Sequence, residues 1–236
     1  MSKAPTPPYK PDGPIRAPGA AAVRPRGAAT LIIVRGDGAT PRVLMGKRHS
    51  DHRFMPNLWV FPGGRVERAD HRAPHGTGLR HEVRATFDAH LPPGRGQALA
   101  LAAIRETFEE TGLLLAKPAP PKPGAGPWSD FLAQGAAPDL EAIEIVARAI
   151  TPPMVAKRYD TWFLTARAER LMSLERQPDC GELAEIAWLE FEEALALPLA
   201  GVTRSIIREA VARLDDPNRP QPYMRFRGGR WSTGQL

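Results

Sequence analysis

Arg105-Glu106-Thr107-Phe108-Glu109-Glu110-Thr111-Gly112-Leu113 is the stretch on which the reading of this chain turns. It closes residues 97–115 (QALALAAIRETFEETGLLL), the strongest helical pattern in the sequence. Apolar residues recur there at Leu101, Ile104, Phe108 and near Leu115, and Gly112 is a natural helix stop. On a helix, Glu106, Glu109 and Glu110 stand at i, i+3 and i+4 and share one face. Three carboxylates so placed repel one another, and a soluble helix gains nothing from the crowding unless a cation sits between them. Hard oxygen donors of this kind suit Mg²⁺ or Mn²⁺ rather than Zn²⁺. The opposite face carries Leu101, Ile104 and Phe108 toward a core, and Arg105 can pair with a nearby carboxylate and orient it. A Glu-Glu pair alone reads as an ordinary solvated face; three acids on one face, followed by Thr-Gly-Leu, point to metal-assisted chemistry.

Upstream lies Phe61-Pro62-Gly63-Gly64-Arg65-Val66-Glu67-Arg68-Ala69-Asp70. Two glycines after the apolar run 58–61 let another group approach the backbone closely, although Pro-Gly-Gly alone is an ordinary strand-ending turn. Residues 28–35 (AATLIIVR) and 42–49 (RVLMGKRH) read as a hairpin about Gly36-Asp37-Gly38. A helix is expected around 79–90, a Pro/Gly loop at 117–127 and a short helix at 128–134. Strands are expected at 143–150 and 157–166, flanking Thr151-Pro152-Pro153, and at 183–190. Helices close the pattern at 191–197 and 201–214. Strands on both sides of one long helix imply an α/β layered domain.

The length of 236 residues, 42% of them hydrophobic, suits one domain with extensions. No apolar run is long enough to span a bilayer, and the first residues, MSKAPTPPYKPDGP, lack the apolar centre of a secretory signal. One cysteine, Cys180, excludes an internal disulfide framework and a cysteine-rich zinc site. It sits in a loop and reads as a plain thiol; a cytoplasmic setting is expected. The net charge of +6 resides in the tails. Residues 1–30 hold five Lys/Arg against Asp12, and 217–236 hold four Arg and no acid. Residues 1–27 read as a disordered or loosely docked arm and 215–236 as a flexible basic tail serving solubility. Neither is read as a stacking platform for nucleic acid, and cutting both away is expected to leave activity largely intact. His71, His75, His81 and His90 are irregularly spaced without a cysteine and are not read as a metal site.

Taken together, these blocks resemble the Nudix hydrolase signature, G-x5-E-x7-R-E-U-x-E-E-x-G-U with U apolar. Gly64 precedes Asp70 by five intervening residues, and Arg105 to Leu113 match the second block. Three departures stand out. Asp70 replaces the first Glu, 34 residues rather than seven separate it from Arg105, and Thr107 takes an aliphatic position. An interrupted signature is similar to that of the coenzyme A diphosphatase-like subgroup, as are Lys47-Arg48-His49-Ser50, Phe54-Met55-Pro56 and 150–161.

The resemblance covers about 28–214 and implies a Nudix-type α/β/α sandwich with a mixed sheet. An insertion at about 71–97 would loop out or cap the substrate pocket. It implies that Glu106, Glu109 and Glu110 bind Mg²⁺ or Mn²⁺, with the Gly63 carbonyl completing the sphere. A further acid outside the box, Glu182 or Glu185, is implied as a candidate general base. Gly64, Glu67, Asp70, Arg105 and Gly112 would support the site, and Lys47, Arg48 and Arg158 are candidates for gripping substrate phosphates. The implied activity is hydrolysis of a diphosphate in a small nucleotide-like substrate, with coenzyme A or an acyl-CoA preferred. ADP-ribose, NADH or a damaged nucleoside triphosphate stand as alternatives. A catalytically silent nucleotide-binding protein is the alternative of another class. No membrane or nucleic-acid partner is expected, and a homodimer is left open.

Overall fold

The computed structural model describes residues 11, 13–36, 38, 40–51, 55–123, 126–175 and 183–236. Its frame is set by β1 (Arg26–Arg35), whose apolar run is buried on both sides. Ala29, Leu31 and Ile33 enter one core and Ile32 and Val34 the other, as the two-residue period of a strand requires. β2 (Arg42–Arg48) returns antiparallel, with Val34 opposite Val43. β3 (Trp59–Val60) and β4 (Gly63–Arg65) follow, then α1 (His81–His90) and α2 (Arg95–Thr111). Next come β5 (Ala116–Pro118), α3 (Ser129–Ala133), β6 (Ala136–Pro138), β7 (Glu144–Ile150) and β8 (Tyr159–Arg167). β9 (Leu183–Glu190), α4 (Phe191–Ala196), α5 (Gly201–Asp215), β10 (Pro222–Arg227) and β11 (Arg230–Gln235) complete the order.

The main sheet runs β11-β10-β7-β8-β1-β2-β3, with β4 paired to β1 and β9 to β2. It is mixed: β1 lies parallel to β8 and β10 parallel to β7, while the other pairs are antiparallel. α2 covers one face through Ala100, Leu101 and Ile104, and α5 covers the other through Ile206, Ile207 and Ala210. The expected α/β/α sandwich is therefore the observed one.

Two expectations are corrected. Residues 222–235 are not a flexible tail. They form a hairpin that adds two strands beside β7, with Tyr223 opposite Arg148. Arg148 grips both oxygens of Asp160 (2.8 and 2.6 Å) and stacks between Trp162 and Tyr223, its Cζ 4.9 and 4.8 Å from their ring centroids. That cation–π sandwich anchors the hairpin to the sheet. Nor does the insertion loop out or cap the cleft described below. Val83 and Phe87 of α1 are buried in the core beneath α2. Gly96 of α2 makes this contact, since a Cβ there would fall 2.3 Å from the Phe87 ring, and Phe87 meets Trp162 at 4.7 Å between centroids. An amphipathic helix buries its apolar stripe wherever a complementary surface is offered. Part of the N-terminal arm is docked too: Ile15 bridges Val155, and Arg158 donates to the Val23 carbonyl (2.8 Å). Among the described residues, no helix is long and apolar enough to cross a membrane.

Candidate active site

Helix α2 brings its carboxylates to the sheet through three local devices. Gly112 closes it with φ 74°, its N–H donating to the Phe108 carbonyl, a conformation that favours glycine. Thr107, where an aliphatic residue was the norm, is fully buried; its hydroxyl donates to the Ala103 carbonyl at 2.7 Å, so no polar group is orphaned. Arg105 is 2% exposed and makes the central ionic knot. Its Nε and Nη2 donate to Asp70 Oδ1 and Oδ2 (2.9 and 3.1 Å), and Nη1 donates to Glu106 (3.0 Å) and Glu109 (2.7 Å). Burial works against the charge on this guanidinium. The hydrogen bond to Asp70 and the charges of Glu106, Asp70 and Glu109 more than offset it, holding its pKa above the ordinary value.

Asp70 is fully buried and also accepts from the Trp128 indole N–H (3.0 Å) and the Glu67 backbone N–H (2.7 Å). An aspartate thus does the bracing expected of the signature's first glutamate. Glu67 itself sits outward, against Arg65 (3.5 Å).

The glycine bend meets the helix at two points. The Gly63 N–H donates to Glu110 Oε2 at 3.1 Å. At Gly64 a Cβ would lie 2.3 Å from the Glu106 carboxyl carbon, so the missing side chain is what admits Glu106. Gly63 (φ 150°) is equally constrained, because its Cβ would strike the Ala29 carbonyl oxygen at 2.5 Å. Gly63, Gly64, Glu106 and Glu110 line one side of a cleft of about 410 Å³. Glu109 lies just beyond that lining, with its side chain 34% exposed.

The other sequence candidates separate. Arg48 lines the cleft. Lys47 and Glu185 do not; they oppose each other across β2 and β9. Arg158 does not line it either. Its guanidinium donates to the Thr151 and Val23 carbonyls, and burial, with the nearby charge of Arg16, lowers its pKa. It holds the arm to the β7–β8 loop. Glu182 and Cys180 lie outside the described residues. Lys157, Tyr159 and Trp231 line the cleft; none was a candidate site residue from the sequence, although Lys157 and Tyr159 lie in the stretch 150–161 that resembles the subgroup. His75 pairs with Gln97 (3.2 Å), and His71 and His81 are exposed.

Can this site take a divalent cation? Its donors are hard carboxylate oxygens beside a wall from which side chains are absent, and that chemistry fits. Among the described residues, however, no three acidic or histidine side chains already converge on one point. Arg105 Nη1 pairs with both Glu106 and Glu109.

The comparisons agree with this architecture. The family model described as NUDIX domain matches residues 24–210. The chain belongs to the NUDIX domain family. It is 28% identical to a NUDIX hydrolase from Alicyclobacillus acidocaldarius of known crystal structure, covering 81% of this chain and 93% of that one with a TM-score of 0.63. It is similar to the acyl-coenzyme A diphosphatase NUDT19 of Gallus gallus (29% identical, covering 65% of this chain and 55% of that protein). It is likewise similar to NUDT19 of Homo sapiens (27% identical, 72% and 62%). The chain therefore spans only about 55–62% of the length of these relatives.

Proposed function

We propose that this protein is a Mg²⁺- or Mn²⁺-dependent hydrolase that cleaves the diphosphate of a nucleoside-diphosphate-linked substrate, with coenzyme A or an acyl-CoA as the preferred class. One observation carries the reading: Glu106 and Glu110 share a cleft wall with the glycine pair 63–64, Glu106 held by Arg105 and Glu110 by the Gly63 N–H.

In this reading Glu106, Glu109 and Glu110 hold the cation, which when bound neutralises phosphoryl oxygens and lowers the pKa of a bound water. The chain's own groups do the rest. Arg105 and Asp70 prevent the carboxylates from splaying apart. Arg48 and Lys157, both on the cleft, offer positive charge to the substrate phosphates. A carboxylate of the cluster accepts the proton of the attacking water. The likeness to the two NUDT19 proteins supports the coenzyme A class over ADP-ribose and dinucleotides.

Purified protein with Mg²⁺ or Mn²⁺ is to be incubated with coenzyme A, an acyl-CoA, ADP-ribose and NADH, and the products identified by mass. The expected result is a coenzyme A substrate split into two phosphorylated halves. Turnover of ADP-ribose with the coenzyme A substrates left intact would remove the preference, and inertness toward all four would favour a silent binding protein.

A further inference from the structure

The cleft extends well beyond the carboxylates. A single register row crosses the sheet from Arg65 on β4 through Ala28, Thr161, Ala149 and Met224 to Thr233 on β11. Directly opposed residues share a face, as do residues two apart on one strand. Trp231, two residues from Thr233 and opposite Phe226, therefore stands on the same face as Arg65, Ala28, Thr161 and Ala149. It lines the same cleft as all four. Its ring meets that of Phe226 edge to face at 5.8 Å and remains 36% exposed.

Five inter-strand steps separate β4 from β11, roughly 24 Å at about 4.8 Å each, an upper value because the sheet twists. The floor between them carries small side chains (Ala28, Ala149, Thr161), and Val155, Phe163 and Met55 add apolar surface.

We propose that Trp231 is a specificity-determining residue: the C-terminal hairpin presents it as the far apolar wall of the cleft, where it takes the acyl end of an acyl-CoA whose diphosphate lies at Glu106 and Glu110. This rests on the reading of the preceding subsection. Distance selects the occupant. A nucleobase stands only one sugar away from its phosphate, whereas an acyl group carried on a long flexible arm is long enough to cross five strands. Chemistry selects it too, because a half-exposed indole on an apolar floor gains most from covering by methylene groups.

The test is kcat and KM for free coenzyme A and for acyl-CoA esters of increasing chain length, on the wild type, Trp231→Ala and Trp231→Phe, each checked by thermal melting. The wild type should gain roughly tenfold in kcat/KM along the series, mainly through KM. Trp231→Ala should flatten that gain while losing far less on free coenzyme A, and Trp231→Phe should restore most of it. If the alanine variant does not fold, Trp231→Gln, which keeps bulk but removes the apolar ring, takes its place: a flattened series supports the proposal and the wild-type gradient overturns it. A folded alanine variant with the wild-type gradient, or with all substrates reduced equally, overturns the proposal and leaves the diphosphatase reading standing. A wild type that cleaves no coenzyme A substrate overturns both.

Discussion

At Gly64 one hydrogen atom stands where any other residue would place a carbon 2.3 Å from the Glu106 carboxyl group. This contact makes the glycine pair part of the site rather than a mere bend. Gly64→Ala would push the Glu106 carboxylate away while leaving the core on either side untouched. We expect kcat/KM to fall about 100-fold, the order associated with displacing a catalytic group by an ångström, with the melting temperature little changed. Equal losses of stability and activity would mean that Gly64 serves the strand alone. The shared helix face of Glu106, Glu109 and Glu110 was legible from spacing, since helical periodicity fixes which acids share a face; that Glu109 would stand outside the cleft lining was not. The fates of Lys47, Arg48 and Arg158 were not, because a cation's sequence position does not say which carbonyls or carboxylates will claim it. Arg158 was claimed by Thr151 and Val23, while Lys157 beside it reached the cleft.

At the scale of elements, the N-terminal stretch of the insertion is tied down by two buried acids. Asp70 binds Arg105 and Trp128 before α1. Asp139, which precedes β7 and is also fully buried, accepts from Thr77 (2.8 Å) and from Arg170 Nη2 (2.6 Å). Burial alone would raise the Asp139 pKa, but its hydrogen bonds to Arg170 and Thr77 and the charges of Arg170 and Lys117 hold it below the ordinary value of 3.8. The sign follows. A carboxylate depressed in the folded state contributes stability that is present above its unfolded pKa and is lost as pH falls through the folded one. Asp139→Asn should cost roughly 2 kcal/mol at neutral pH, less than for a fully buried pair because Arg170 is about a third exposed and can turn to water. The gap in melting temperature between it and the wild type should narrow as pH drops below about 3.8. A constant gap across that range would mean that the carboxylate charge is not what binds the insertion.

The length and place of α1 were readable, because Val83 and Phe87 follow a helical period. Its destination was not: only the facing Gly96 and Trp162 decide where the apolar stripe lands. The C-terminal hairpin is a different case. Gly228-Gly229 between Tyr223–Arg227 and Arg230–Trp231 is a hairpin signal, and both glycines adopt positive φ (54° and 78°) as a tight primed turn requires. Its abundance of arginine masked an alternation that pairs aromatics with cations across the sheet.

For the whole molecule, the site is a joint product of parts far apart in sequence. Helix α2 supplies carboxylates, β4 the glycine wall, the loop before β8 a lysine, and the last strand a tryptophan. Truncation at 217 would accordingly strip a strand from β7 and a wall from the cleft, against the expectation that such a cut leaves activity largely intact. The two faces of β1 explain how one scaffold holds all of this: α2 fills one side and α5 the other, and the cleft forms where small residues leave the second face uncovered.

Glu110, 5% exposed and braced by the Gly63 N–H, is the carboxylate on which the metal-dependent reading rests most heavily. Its direct test is the acyl-CoA hydrolysis rate across a Mg²⁺ or Mn²⁺ titration for the wild type beside Glu110→Gln, which keeps shape and removes charge. The predicted result is a saturable metal dependence in the wild type and a loss of about 10³-fold or more in the variant, with its melting temperature preserved. A folded Glu110→Gln protein that turns over at the wild-type rate, or a wild type indifferent to the metal, would contradict it.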